Sequence, residues 1–318
     1  MKYILSVIFI FCFLHVFAQT PRISFEAPLL YPEGVAYDPA SKNFYFGSVT
    51  YGTIGRVDDK GNYQKIYEDS TLKSSYGMKV DPKRKKLWIC TGDANYSRRS
   101  NPATAKKLIR LIGLDLETAK KTNEIDLSGL YPGKHFINDL AIDGAGNIYL
   151  TDSFSPVIYI VDREMKPGIF AKNELFTSGD VGLNGVVFHK KGFLIVANNS
   201  DGTLLKVNIR NPADVKKIRV PAFFPGADGL LWTEDEKLIV VQNKGVDKVF
   251  QLESSDDWIS AKITSATSAR DRFARPTTAT LKENKVFVLN SKMNELTDPT
   301  APPSSEFSIQ EAVFKPVL

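Results

Sequence analysis

The sequence predicts an all-β chain folded as a six-bladed β-propeller. One unit recurs six times: a polar or small start, an apolar alternating strand, a turn rich in Asp, Gly, Lys or Asn, and a second hydrophobic strand. The starts lie at Glu33, Gly77, Asn138, Asn184, Asp228 and Pro276, at intervals of 44, 61, 46, 44 and 48 residues. Convincing helical periodicity is nearly absent. Units of about four short strands cannot bury both faces alone, so they pack radially against one another around a central channel.

The chain opens on a leader. Lys2 supplies a positive start, Ile4 to Val16 is a short apolar run, and Val16-Phe17-Ala18 ends in a small residue before Gln19. This is the grammar of a secretory signal peptide (residues 1–18) cleaved after Ala18, with an uncleaved anchor as the alternative. The run is too short and wrongly flanked for a membrane span. The expected product, residues 19–318, is one propeller domain, soluble, and secreted or periplasmic. It retains Cys90 but not Cys12, which excludes an intrachain disulfide framework. Cys90 lies in the apolar run Leu87-Trp-Ile-Cys90 and reads as an inert core thiol.

The second strands are the most regular part of each unit. They read Asn43-Phe-Tyr-Phe-Gly47, Lys86-Leu-Trp-Ile-Cys90, Asn147 to Asp152, Gly192 to Ala197, Lys237 to Gln242 and Lys285 to Asn290. β-branched and aromatic residues fill them and turn formers bound them. A third strand often follows, as in Val157-Ile-Tyr-Ile-Val161, Thr203–Val207 and Lys248–Leu252. The long second interval holds Thr91 to Lys134, and its polar stretch Gly92 to Pro102 reads as a surface insertion. Thr297 to Ser305 is a loop, and Phe307 to Phe314 is a candidate closing strand that links the last blade to the first.

The formal charge is +5, or +4 without Lys2. The basic residues are scattered along the chain. The densest run, Lys83-Arg84-Lys85-Lys86, reads as a solvated turn, so neither a nucleic-acid nor a membrane partner is expected. A small molecule is the expected partner; oligomeric state is not legible.

Four of the starts carry oxygen-bearing side chains: Glu33, Asn138, Asn184 and Asp228. A strand entering a core rarely opens with a carboxylate or amide unless something polar needs it there. In a propeller the openings of the inner strands face one another across the axis. Two carboxylates and two amides then form an oxygen-only cage that suits a divalent cation, most simply calcium, with zinc, manganese or magnesium as alternatives. Asn184-Gly185 and Asp228-Gly229 are, taken singly, also common turn signals. No cysteine metal cluster, phosphate loop or Gly-x-Ser-x-Gly nucleophile accompanies them.

On Glu33-Gly34, Asn138-Asp139 with Asp143-x-x-Gly-Asn147-Ile-Tyr, Asn184-Gly185 and Asp228-Gly229, the chain resembles the regucalcin (senescence marker protein), gluconolactonase and diisopropyl fluorophosphatase family of six-bladed propellers. The resemblance covers nearly the whole chain after the leader. It implies that Glu33, Asn184 and Asp228 ligate a divalent metal, with Asn138 ligating it or contacting substrate. It implies that Asp228 is the catalytic base, or the nucleophile in phosphatase-like members, and that the substrate is a lactone or related small ester. The chain departs from sugar-lactone members at Phe136 and Leu140, where they carry Arg and Gly, and at Val35, where many carry Pro. The specificity pocket is therefore expected to be more apolar. His135 and Arg275 are further candidates for the rim, as an acid–base group and an anion-binding group; an exposed loop residue and a surface or interblade ion pair are their alternatives. The rival function is a non-catalytic ligand-binding propeller with a structural cation, similar to royal-jelly and yellow proteins.

Overall fold

A computed structural model describes residues 20–177 and 179–317. The leader expected over residues 1–18 lies outside the described residues. Six antiparallel sheets make six blades. Blade 1 is the meander Val35–Asp38, Asn43–Gly47, Ile54–Val57 and Tyr63–Tyr67, with Val35 opposite Phe46 and Phe44 opposite Val57. The inner strands of blades 2 to 6 are Ser74–Asp81, Ile137–Ile142, Leu183–His189, Ala227–Trp232 and Pro276–Lys282. Each packs against the next inner strand, and the sixth returns to the first.

Period-2 alternation sorts side chains between blades. Phe44 and Phe46 turn toward blade 6, where they meet Phe287 and Leu289; Tyr45 between them turns toward blade 2 and meets Ile89. The same division recurs around the ring, so the apolar core is six separate interfaces, each shared by two neighbouring blades. Inner strands are covered on both faces, as in Ile137–Ile142, whereas an outer strand such as Pro167–Lys172 alternates exposed positions with half-buried or buried ones. Because the apolar packing lies between blades, the axis is left to polar side chains. Cys90 is a free, buried thiol in the interface of blades 2 and 3, as expected.

The ring closes differently from the sequence expectation. Glu306–Glu311 is the third strand of blade 6, and its outer partner is Arg22–Glu26 from the start of the described chain. Phe25 lies opposite Phe307, and its ring stacks on Phe46 at 4.6 Å between centroids. Nothing in Arg22–Glu26 marks it as a strand beyond its short alternation, and the closing pair spans nearly the whole chain. Lys315–Pro316 then pairs with Lys262–Ala266 of blade 5.

The stretch Gly92–Pro102 is also more than a surface insertion. The Ser97 hydroxyl donates to the carbonyls of Thr50 and Lys73, and the Arg98 backbone N–H donates to the Thr50 carbonyl. Asp93 is buried and accepts from the Asn95 backbone and from the hydroxyls of Ser100 and Thr104. The insertion is thus folded on itself and tied over blade 1. Among the described residues, no helix is long and apolar enough to cross a membrane.

Candidate functional site

A β-bulge opens the inner strand of five blades at the same place. In blade 3, pairing jumps from Ile137–Asp152 to Leu140–Leu150, which leaves Asn138 and Asp139 as the bulged pair. Asn184-Gly185, Asp228-Gly229, Tyr76-Gly77 and Thr277-Thr278 occupy the equivalent gaps. A bulge adds one residue and bends the strand, which re-aims the side chain it carries. Asn184-Gly185 and Asp228-Gly229 are therefore strand bulges, not hairpin turns.

The glycines follow from the same geometry. A Cβ on Gly185 would lie 2.1 Å from the Asp228 carbonyl oxygen, and one on Gly34 would lie 2.2 Å from the Tyr76 carbonyl oxygen. Adjacent inner strands approach so closely that a side chain cannot fit between them. Where the glycine is replaced, a polar contact takes over. Asp139 accepts from the backbone N–H of Leu140 and of Val186 in the next blade, and the Thr277 and Thr278 hydroxyls donate to the Glu33 carbonyl.

Glu33, Asn138, Asn184 and Asp228 are all buried, from 2% to 8% exposed, which is unusual for such side chains unless each has a partner. Yet Glu33 Oε2, Asn138 Oδ1 and Asn184 Oδ1 have no hydrogen-bond donor among the described residues. Asn138 Nδ2 donates to the Ser153 hydroxyl at 3.0 Å, which fixes its amide. Burial pushes the Asp228 carboxyl up to about 7; hydrogen bonds from Asn243 and Asn184 and the charge of Arg275 oppose this rise, while Asp139 adds to it. Burial also raises the Glu33 carboxyl well above its ordinary range, helped by the charges of Asp228 and Asp139 and opposed by Lys79. Asp228 therefore acts on Glu33 through its charge and accepts a hydrogen bond from Asn184, while Asn138 lies on the inner strand that precedes that of Asn184. No three His, Cys, Asp or Glu side chains form a metal-holding group among the described residues; the grouping depends on amide oxygens as well as carboxylates.

Asn243 is the residue the sequence reading missed. Its Nδ2 donates to Asp228 Oδ2 at 2.6 Å and to the Pro276 carbonyl at 2.9 Å. It follows directly on the second strand of its blade, as Ser153 does in blade 3. A polar residue just past each second strand, repeated as Ser153, Asn199, Asn243 and Ser291, was the available signal.

Arg275 immediately precedes the inner strand of blade 6 and is held with φ of 50°, a left-handed conformation that costs a bulky residue free energy. Asp247 accepts its backbone N–H, and Ser291 donates to its carbonyl through both hydroxyl and backbone. Its guanidinium donates through Nη1 to the Asn243 carbonyl. Among the described residues no carboxylate forms an ion pair with it.

His135 is buried rather than set in an exposed loop. Its Nδ1 lies 2.7 Å from Asp152 Oδ2, and the Tyr131 carbonyl takes a further hydrogen bond from the ring. Burial would lower its pKa, but the hydrogen bond and charge of Asp152 outweigh that effect and the net direction is upward. Asp152 Oδ2 also accepts from the Tyr159 hydroxyl, and Oδ1 accepts from the backbone N–H groups of Phe136 and Phe154. The network thus holds the backbone from which the Phe136 ring projects. That ring meets Tyr76, Phe154 and Tyr96 at centroid distances of 4.8, 5.4 and 6.5 Å.

No protein-family model and no curated protein sequence matches the chain. Solved structures do. The chain is similar to the major allergen Mala s 1 of Malassezia sympodialis, at 16% identity and a TM-score of 0.73, over 94% of this chain and 97% of the allergen. It is similar to a luciferin-regenerating enzyme at 10% identity and a TM-score of 0.63, over 93% and 97% of the two chains. It is also similar to a protein proposed to be a gluconolactonase, at 14% identity and a TM-score of 0.61, over 94% and 96%. At these identities the likeness is one of fold.

Proposed function

We propose that this chain is an exported, divalent-metal-dependent hydrolase of a lactone or related small ester. The observation that supports this reading most is the group of buried acceptor oxygens without donors: Glu33 Oε2, Asn138 Oδ1 and Asn184 Oδ1, beside the Asp228 carboxylate. An orphaned buried acceptor costs about 1–3 kcal/mol, and three of them on residues that open inner strands support a cation as their partner. An all-oxygen set with two carboxylates fits calcium, with magnesium, manganese or zinc as the alternatives to be tested. The fold shared with a proposed gluconolactonase and a luciferin-regenerating enzyme is consistent with this chemistry.

Glu33, Asn138, Asn184 and Asp228 would hold the cation. When bound, it supplies Lewis-acid polarisation of the substrate carbonyl. The chain's own residues supply the rest. Asn243 donates to Asp228 Oδ2 and helps fix the carboxylate that would accept a proton from the attacking water. The water oxygen bonds to the carbonyl carbon, the ring C–O bond breaks, and the leaving alkoxide takes up the proton that Asp228 accepted from the water. His135, with its ring engaged by Asp152 and the Tyr131 carbonyl, has a positioning role here, while Phe136 and Arg275 face the substrate.

The test is hydrolysis by the purified mature chain across aliphatic, aromatic and sugar lactones, with each cation in turn and with chelator. Metal-dependent turnover that Asp228→Asn removes while the fold persists is the expected result. No turnover on any lactone, together with a purely stabilising effect of the cation, would instead favour a ligand-binding propeller with a structural ion.

A further inference from the structure

The two flanks of the polar floor differ in chemistry. On the side of blades 2 and 3 stands a wall of four aromatic rings: Tyr76, Tyr96, Phe136 and Phe154. The wall adjoins the polar floor directly. The carbonyl of Tyr76 lies against Gly34, next to Glu33, and Phe136 is two residues from Asn138. On the side of blades 5 and 6 the floor continues from Asp228 through Asn243 to the Arg275 guanidinium. Tyr96 connects the halves: it packs on Phe136, and its phenol, raised chiefly by burial, also feels the positive charge of Arg275.

Each half is held by contacts that do not depend on a ligand. The Tyr76 hydroxyl accepts the Ala94 backbone N–H, which seats the insertion carrying Tyr96. Asp152 holds the backbones of Phe136 and Phe154 together through one carboxylate oxygen. Arg275 keeps a left-handed backbone through bonds to Asp247 and Ser291. Tyr76 is wholly buried and Phe136 nearly so, and they back the wall, while Tyr96 and Phe154 are half-buried and give it an accessible apolar face. An apolar wall rejects a polyhydroxylated ring, because each hydroxyl placed on it loses hydrogen bonds to water without replacement. A guanidinium that forms no ion pair among the described residues, with the Asp228 charge as a nearby neighbour, favours a planar anion.

We infer that the ligand of this site is amphipathic: an aromatic or branched apolar body seated on Tyr96 and Phe154 against the edge of Phe136, with a carboxylate or similar anion directed to Arg275. This names the substrate class of the proposed hydrolase and rests on that reading for turnover, but not for binding. Sugar lactones and their acids are then poor ligands.

Binding is measured first, by calorimetry on the full-length mature chain with calcium present, using probes that have no bond to hydrolyse. The probes are 4-phenylbutyrate, 4-phenylbutanol and gluconate. The expected order is phenylbutyrate tightest, by about 10-fold or more over each of the others, given the apolar area of one ring. Tyr96→Leu should cut the aromatic preference at least about 3-fold, and Arg275→Met should remove the preference for carboxylate over alcohol while keeping that for the ring. Phe136→Arg should shift preference toward gluconate; if it melts early, Tyr96→Leu still decides the point. Gluconate binding as tightly as phenylbutyrate, or preferences unmoved by Tyr96→Leu and Arg275→Met, would overturn the inference. Turnover is measured second, on the wild-type chain. Aromatic preference in binding without hydrolysis of any lactone would count against the hydrolase alone, whereas faster hydrolysis of sugar than of phenyl-substituted lactones would count against the amphipathic ligand alone.

Discussion

Asn243 Nδ2 lies 2.6 Å from Asp228 Oδ2 and holds the carboxylate in one orientation at the axis. Since the same nitrogen also reaches the Pro276 carbonyl, it ties blade 5 to blade 6 at the point where the proposed base stands. Asn243→Ala should lower kcat on the best lactone by about 10-fold or more, because Asp228 would then be free to turn. It should also cost about 1–3 kcal/mol of stability, the range for losing a bond to a charged group. Steady-state kinetics and a urea melt on the same preparation check both; unchanged kcat would take Asn243 out of the site.

Stability in chelator should fall as pH rises. Burial holds the Asp228 carboxyl at about 7 and the Glu33 carboxyl well above its ordinary range. Between about pH 4 and 7 the folded chain keeps protons that the unfolded chain has released, so their contribution is full near pH 4 and is lost as pH passes through 7. Thermal melts in chelator from pH 5 to 8 should show this decline. Calcium should remove it by pairing with the ionised carboxylates.

Asp228→Asn separates charge from shape. It removes one of three buried carboxylates, Glu33, Asp139 and Asp228, that repel one another, so in chelator at pH 8 the variant should melt several degrees above the parent chain. It should gain little from calcium. A variant that melts lower than its parent in chelator, yet gains as much from calcium, would show that Asp228 is not part of the cation's shell.

Gly185→Ala tests the close approach of neighbouring inner strands. The new Cβ would lie 2.1 Å from the Asp228 carbonyl oxygen, which is backbone and cannot turn away. A cost of about 3 kcal/mol is expected, with loss of activity because Asp228 is displaced. The same change at Gly192, which has open space around its Cβ position but φ of 87°, should cost only the smaller backbone penalty. Paired denaturation curves for the two variants make the comparison.

Asp152→Asn should weaken the network beneath the aromatic wall. The side chain is fully buried and serves His135, Tyr159, Phe136 and Phe154 together. A loss of about 3 kcal/mol is expected, as for breaking a buried pair. KM for an aromatic lactone should rise more than kcat falls, since the wall binds and does not react. An effect on kcat alone would place this network in the chemistry.

The repeat made most of the fold legible, because six phrases of like pattern demand six like sheets. The polar openings Glu33, Asn138, Asn184 and Asp228 were legible for the same reason. What the repeat could not show was a relation between distant segments. Arg22–Glu26 has no partner nearby in sequence, so its pairing with Glu306–Glu311 was missed. Asn243 was hidden because an amide after a strand usually marks a loop. Basic residues that looked scattered also converge: Lys191, Lys206, Arg210, Lys216, Lys217 and Arg219 line one groove on the outer side of blades 4 and 5, with Asp257 paired to Lys191 and Lys206.

Closure by Arg22–Glu26 makes this molecule a belt with its buckle in blade 6. Both ends of the described chain fasten there or beside it, one on Glu306–Glu311 and the other on Lys262–Ala266. Pulling on the N-terminal end loads the hydrogen bonds of the buckle first, and pulling on the C-terminal end loads the short Lys315–Pro316 pairing on blade 5 and then the buckle. Cutting the loops between other blades leaves the belt fastened. A chain cut or tagged at the buckle should open there first, and Glu33, whose carbonyl is gripped by Thr277 and Thr278 across that same joint, would part from Asp228 early in the opening.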